Sequence, residues 1–266
     1  MNELVFLKLG GSLITDKRRP YTPRLGVIQR LADEIRQALQ ARPALRLVLG
    51  HGSGSFGHQA ASQYATRRGV SAPDEWAGFA EVAAAAARLN RIVSDAMQEA
   101  GVPVWSLQPS ASARCRDRQL VDLAVHPIET ALGRGLVPLV YGDVALDDVR
   151  GGTIISTEDL FVYLAAILRP QRILLAGGAA GVFDGEGRVI PHVSPATLPH
   201  LHALLGGALT VDVTGGMADK VARMVGLVDE LPQLKCCILS GLEPGLVGRA
   251  LEEPDACKGT WIEADA

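Results

Sequence analysis

The chain has 266 residues, 48% of them apolar and 21% charged, with a formal net charge of −3. That balance fits an ordinary soluble globular protein, one large α/β domain or two lobes, and excludes general electrostatic attraction to nucleic acid or an anionic membrane surface. No apolar run approaches the ~20 residues that span a bilayer. The chain also opens on a strand-like run without the regions of a signal peptide. The four cysteines (Cys115, Cys236, Cys237, Cys257) have no metal-ligand spacing, so a reduced, cytoplasmic protein is expected, with no disulfide staple at the adjacent pair.

Leu4 to Leu9 alternates little and is largely apolar, which predicts a parallel strand buried on both faces. It runs into Gly10-Gly11-Ser12 and then Lys17. Lys8 is the first sharp signal. An ammonium at a strand edge can keep its head in water, but this strand ends in a diglycine suited to an anion. Leu25 to Gln40 has helical spacing (Leu25, Ile28, Leu31, Ile35, Leu39) between Pro23 and Pro43. Leu45 to Leu49 is the second strand and delivers a second glycine-rich stretch, GHGSGSFGH, at 50–58.

Residues 58–100 read as mostly helix, interrupted near Gly69 to Asp74. Trp76, Phe79 and the alanine-rich run ending in Ile92, Val93 and Met97 fit either a wall of an apolar pocket or small-residue helix packing. Val102 to Leu107 is a short strand, followed by a turn or helix start at Gln108-Pro109-Ser110. Arg114 to Val121 suits a polar hairpin. Leu136 to Tyr141 is a buried strand ending in Gly142-Asp143. Val144 to Ile155 reads as a second hairpin with Gly151-Gly152 at its turn. Thr157 to Leu168 is a helix capped by Ser156 or Thr157, with Glu158 and Asp159 in its first turn. Arg172 to Leu175 runs into AGGAAG, residues 176–181. Thr210 to Lys220, TVDVTGGMADK, opens a helix reaching about Leu231. Lys235 to Leu239 is a strand, followed by a short helix near Leu246 and a strand near Trp261. Strands alternating with helices predict an α/β fold: a three-layer αβα sandwich around a mainly parallel open sheet, with sites at the strands' carboxyl ends.

Four glycines and two serines in the nine residues 50–58 are not core packing. Exposed N–H groups at a strand-to-helix junction bind anions, and His51 and His58 add side-chain donors. Gly52-x-Gly54-x-x-Gly57 matches the dinucleotide fingerprint as a string, but no second strand carries an acid to the required place. The dipeptide Gly-Lys is absent, which excludes a mononucleotide P-loop, and there is no G-x-S-x-G elbow. His200-x-His202 lacks further ligands and reads as a surface pair. The chain has only five lysines, yet Lys8, Lys17 and Lys220 fall within or beside glycine-containing motifs. Several glycine-rich strand ends with lysines and a histidine suit phosphoryl transfer, in which positioning and charge neutralisation are most of catalysis.

Five segments, LKLGGSLITDK (7–17), HGSGSFGH (51–58), SLQPSA (106–111), VPLVYGDV (137–144) and DVTGGMADK (212–220), make the sequence resemble the amino acid kinase superfamily. Within that superfamily it is similar to the isopentenyl phosphate kinases, and a histidine at the end of the second segment is the specific mark. The resemblance implies an amino acid kinase-like fold, an acceptor-binding lobe at 1–168, a nucleotide-binding lobe at 169–266 and a homodimer. It implies transfer of the ATP γ-phosphoryl to isopentenyl phosphate. Lys8 and Lys220 would hold the ATP phosphates, Gly10, Gly11 and Ser12 cradle them, and Lys17 stabilise the transferring group. Ser53 and Gly54 would line the junction of donor and acceptor, His58 donate to the acceptor phosphate, and Gly142 with Asp143 approach it. Ala176, Gly178, Gly181 and Gly216 would bind nucleotide. Mg²⁺ would accompany ATP, held by phosphates and water rather than by a protein cage.

Two departures stand out. Ser156-Thr157-Glu158 replaces the usual Ser-Gly-Asp, so Glu158 takes the place of the carboxylate thought to organise the catalytic lysines. Gly177-Gly178-Ala179-Ala180-Gly181 lacks the two acids of the usual Thr-Asp-x-Asp-Gly. The alternatives are a kinase for another small phosphate or phosphonate such as fosfomycin, a nucleotide- or metabolite-binding homologue without turnover, and a nicotinamide-dependent oxidoreductase.

Overall fold

A computed structural model describes residues 3–57, 64, 66, 69–199 and 216–265. Its strands are β1 (Leu4–Leu9), β2 (Arg46–His51), β3 (Val104–Ser106), β4 (Arg114–Arg116), β5 (Gln119–Asp122), β6 (Val137–Tyr141), β7 (Asp143–Asp147), β8 (Gly151–Ile155), β9 (Arg172–Gly177), β10 (His192–Val193), β11 (Lys235–Ser240) and β12 (Gly259–Ile262). The main sheet has eight strands in the order β10-β12-β11-β9-β1-β2-β6-β3, and every pair is parallel except β11 with β12. A second sheet, β5-β4-β7-β8, is built from the two hairpins.

The period of two in β1 builds the layers. Val5, Leu7 and Leu9 face one apolar cluster with the helices Leu25–Ala41, Pro73–Glu99 and Leu246–Glu252. Leu4 and Phe6 face the other, with the helices Thr157–Leu168 and Gly216–Glu230. Both faces of the sheet are thus covered, as a parallel sheet requires. Lys8 continues the Leu4–Phe6 series, so strand geometry sends it towards the helix that begins at Thr157. The expected three-layer αβα sandwich is the observed fold.

β1 lies at the switch point. Four strands of the sheet's first half in sequence stand on one side of the β1–β9 junction, and four from residues 172–262 on the other. Open α/β sheets bind ligands in the crevice at such a point, beyond the strands' carboxyl ends.

Two expectations, the place of a turn and the reduced state of all four cysteines, are corrected, and one open choice is decided. Gly151 and Gly152 pair with Asp147 and Leu146, so they begin the return strand and the turn is residues 148–150. Asp147 makes that turn, accepting the N–H groups of Val149 and Arg150 at 2.9 Å each. Second, the sulphurs of Cys237 and Cys257 form a disulfide, whereas Cys115 and Cys236 are free and buried. Neighbouring residues of a strand face opposite ways, so Cys236 and Cys237 could not pair with each other. Third, Val82, Ala85, Leu89, Val93 and Met97 are main-core residues, so most of the 76–97 stripe is helix packing and not a pocket wall. The helix His126–Gly133 had no counterpart in the sequence reading, because only three of its eight residues face the core. The pair His200-x-His202 lies outside the described residues. Among the described residues no helix is long and apolar enough to cross a membrane.

Asp147 also accepts from Asp117 N at 3.1 Å and Arg118 N at 2.6 Å, and so ties the two hairpins together. Burial alone would raise its pKa, but these four N–H groups hold the carboxyl below its ordinary value. A depressed carboxyl contributes stability above its unfolded pKa of ~3.9 and loses it as the pH falls through the folded value. Asp147→Ala should therefore lower the thermal midpoint at pH 7 by several degrees. The gap to wild type should close when melts are repeated at progressively more acidic pH.

Candidate active site

Three loops meet at the carboxyl ends of β1, β2 and β9. Gly10 donates its N–H to Ala176 O at 2.8 Å, and Gly52 donates to Leu9 O at 3.0 Å. The first two loops touch backbone to backbone: a Cβ on Gly11 would lie 2.4 Å from Gly54 N. No residue but glycine fits there, and Gly54 itself has a φ of +50°. Thr15 pins both loops, donating its hydroxyl to Gly11 O at 2.7 Å and accepting Ser55 N–H at 2.9 Å. Ser53 starts a helical turn, its carbonyl accepting the N–H groups of Phe56 and Gly57 at 3.1 Å.

Lys8 and Glu158 form a buried ion pair at this end of β1. The register explains it. Lys8 stands opposite Gly50 of β2, and a Cβ on Gly50 would lie 2.6 Å from Thr157 Cγ2. The missing side chain lets the Thr157–Leu168 helix bring Glu158 down to the strand. Ser156 caps that helix, accepting Asp159 N–H at 3.1 Å, and Arg223 pairs with Asp159. Burial pulls the Lys8 ammonium below its ordinary pKa against the Glu158 charge, and Lys220 adds to the lowering. Burial would raise Glu158, but Lys8 and then Lys220 outweigh it and hold the carboxyl below the usual range. Lys8, Lys220 and Glu158 therefore form one electrostatic group. Glu158 Oε1 is buried and has no hydrogen-bond partner, so half of that carboxylate remains open to a further cation or donor.

Just beyond β6 Gly142 donates its N–H to His51 O at 3.1 Å. Asp143 is buried and accepts from Ser110 N at 3.1 Å and Val144 N at 2.9 Å. Burial raises its pKa, and these donors offset part of the rise. Lys17 is exposed on the loop between Thr15 and Pro23. Tyr21 of that loop meets the Phe56 ring edge-on at 5.6 Å and lies under Arg88. Ser12 is half-buried in the short helix Gly11–Ile14. In the second glycine-rich loop Ala176 is buried and Gly178 exposed, while Gly181 packs against Thr260 and Val189. Gly216 opens the helix that carries Lys220. His58 lies outside the described residues, as do residues 210–215 of the TVDVTGGMADK motif. Among the described residues no three His, Cys, Asp or Glu side chains gather as a metal site.

The comparisons with known proteins agree with this geometry. The model of the amino acid kinase family matches residues 3–240. The isopentenyl phosphate kinase of Haloferax volcanii is 37% identical over 251 residues, covering 92% of this chain and 98% of that protein. The isopentenyl phosphate kinase of Methanocaldococcus jannaschii is 35% identical over 225 residues, covering 82% and 85%. A solved isopentenyl phosphate kinase superposes with a TM-score of 0.81 at 28% identity, covering 97% of this chain and 100% of that one. A parallel sheet whose glycine loops meet over a buried lysine–glutamate pair, together with these likenesses, places the chain in the amino acid kinase family, among the isopentenyl phosphate kinases.

Proposed function

We propose that the protein transfers the γ-phosphoryl of ATP to isopentenyl phosphate, giving isopentenyl diphosphate and ADP in isoprenoid synthesis. The observation that carries this reading is the buried Lys8–Glu158 pair at the switch point, beneath glycine loops whose backbones touch. A phosphate monoester is already a nucleophile near neutral pH, so no base is required of the protein. Catalysis is then positioning and charge neutralisation. Lys8 and Lys220 hold the ATP phosphates over Gly10, Gly11 and Ser12, with Glu158 fixing Lys8. Lys17 reaches the transferring group from its loop. Ser53, Gly54, Gly142, Asp143 and His58 face the acceptor phosphate, and Ala176, Gly178, Gly181 and Gly216 face the nucleotide.

Residues 1–168 act as the acceptor lobe and 169–266 as the nucleotide lobe. Phe79 and Ala83 of the long helix belong to the same apolar cluster as Val144 and Ile154, next to Asp143, which suits an apolar acceptor tail. Mg²⁺ enters as MgATP and is held by phosphates and water, in keeping with the lack of any gathering of three His, Cys, Asp or Glu side chains among the described residues. In this reading the enzyme works in the cytoplasm as a homodimer.

The test is ADP release with ATP and Mg²⁺ against isopentenyl phosphate, dimethylallyl phosphate, fosfomycin and acetylglutamate. Isopentenyl phosphate should be turned over with the highest kcat/KM. A clear preference for fosfomycin would move the chain to another acceptor, and no ADP with any of the four would leave a binding protein.

A further inference from the structure

The His51 ring faces away from Lys8, on the opposite side of the sheet, and is fully buried. It stacks on Tyr141 with ring centroids 5.5 Å apart and planes 6° from parallel. Its Nδ1 lies 3.2 Å from Gly52 O and its Nε2 lies 3.2 Å from the Asn90 amide. The other end of that amide is 2.6 Å from Ser106 Oγ. A line of hydrogen bonds therefore runs from β3 through the Pro73–Glu99 helix to the loop after β2.

The protonation of this line follows from satisfying every group. With the Asn90 oxygen towards the ring, both ring nitrogens would face acceptors and the imidazole would have to be charged. Burial opposes that charge and pulls the ring's pKa down to about 4, against the bonds to Gly52 and Asn90. Turning the amide over exchanges an oxygen and a nitrogen that occupy nearly the same places. Ser106 Oγ–H then donates to the amide oxygen, Asn90 Nδ2–H donates to Nε2, and Nδ1–H donates to Gly52 O. One tautomer of a neutral ring satisfies the whole line.

The backbone of His51 extends the connection. Its carbonyl accepts Gly142 N–H at 3.1 Å and the Thr157 hydroxyl at 2.6 Å. Gly142 stands on the acceptor side, and Thr157 precedes Glu158. We propose that His51 is a positioning residue, oriented by Asn90 and Ser106, that sets the Gly52 carbonyl and through it aligns the second glycine loop with Gly142 and the Glu158 helix. It acts through these groups and does not itself touch the phosphates. The proposal rests on the phosphoryl-transfer reading above.

Leucine and aspartate both have nearly the shape of asparagine, but leucine removes both bonds of the line. An aspartate accepts from Ser106 and holds the ring as an imidazolium, its charge offsetting the burial, so that Nε2–H donates to the carboxylate and Nδ1–H still donates to Gly52 O. Steady-state kinetics of Asn90→Leu and Asn90→Asp, with thermal melts of each, therefore separate hydrogen bonding from packing. Asn90→Leu should lower kcat about tenfold with KM for ATP little changed, as expected when alignment rather than binding is lost. Asn90→Asp should recover most of that kcat. Ser106→Ala, at the far end of the line, should lower kcat by a smaller factor without loss of the fold, and it decides the matter if Asn90→Leu does not fold. Wild-type kcat in Asn90→Leu or in Ser106→Ala, equal losses in Asn90→Leu and Asn90→Asp, or a loss confined to KM would overturn the proposal. Failure of the wild-type protein to release ADP would instead overturn the functional reading.

Discussion

Lys8→Met should lower kcat by about a thousandfold or more, because in the proposed reaction it removes a fixed positive charge that holds the ATP phosphates. The same substitution strands the buried Glu158 carboxylate. Removing one partner of a buried pair typically costs about 3–5 kcal/mol, since the remaining charge is uncompensated. The single variant should therefore lose both activity and thermal stability. Adding Glu158→Gln to Lys8→Met removes the stranded charge, so the double variant should melt well above the single one and remain inactive. Kinetics and melts on the two proteins separate catalytic from structural consequences. Restored turnover in the double variant would show that Lys8 serves only to neutralise Glu158.

His58→Ala should keep the fold and lose at least about a hundredfold in kcat. A preorganised donor to developing or repelling anionic charge is worth roughly 3 kcal/mol. In the sequence His58 comes directly after Gly57, the last described residue of the glycine-rich stretch. Its task in the proposed reaction is to orient the acceptor phosphate and offset its repulsion from ATP, not to remove a proton. An unchanged melting temperature with sharply reduced ADP release is the expected pair of results. Near-normal turnover would take His58 out of the mechanism.

The main sheet was legible because its strands are apolar runs ending in glycine, and because Lys8 interrupts one such run. The Leu25–Ala41 helix was legible from its spacing and its flanking prolines. The Val144 to Ile155 hairpin is legible in the sequence, but its turn is not at Gly151-Gly152. Glycines are the usual turn signal there, whereas here the Asp147 carboxylate gathers the turn's N–H groups. Asn90 was passed over inside an alanine-rich helix. The sign that could have marked it is a polar series, Asn90 and Ser94, at a spacing of four along a face that is otherwise core.

By itself the sequence determined the strand–helix alternation, the glycine-rich strand ends and the few lysines that accompany them. These are local properties: period, backbone freedom and residue type act within a dozen residues. Only the tertiary structure decided that Glu158 pairs with Lys8 across 150 residues of chain, that Cys237 bonds Cys257, and that His51 turns away from Lys8 towards Asn90. Each of these depends on which strands lie side by side and in what register. One residue of slip in β1 would send Lys8 to the opposite face, away from the Glu158 helix.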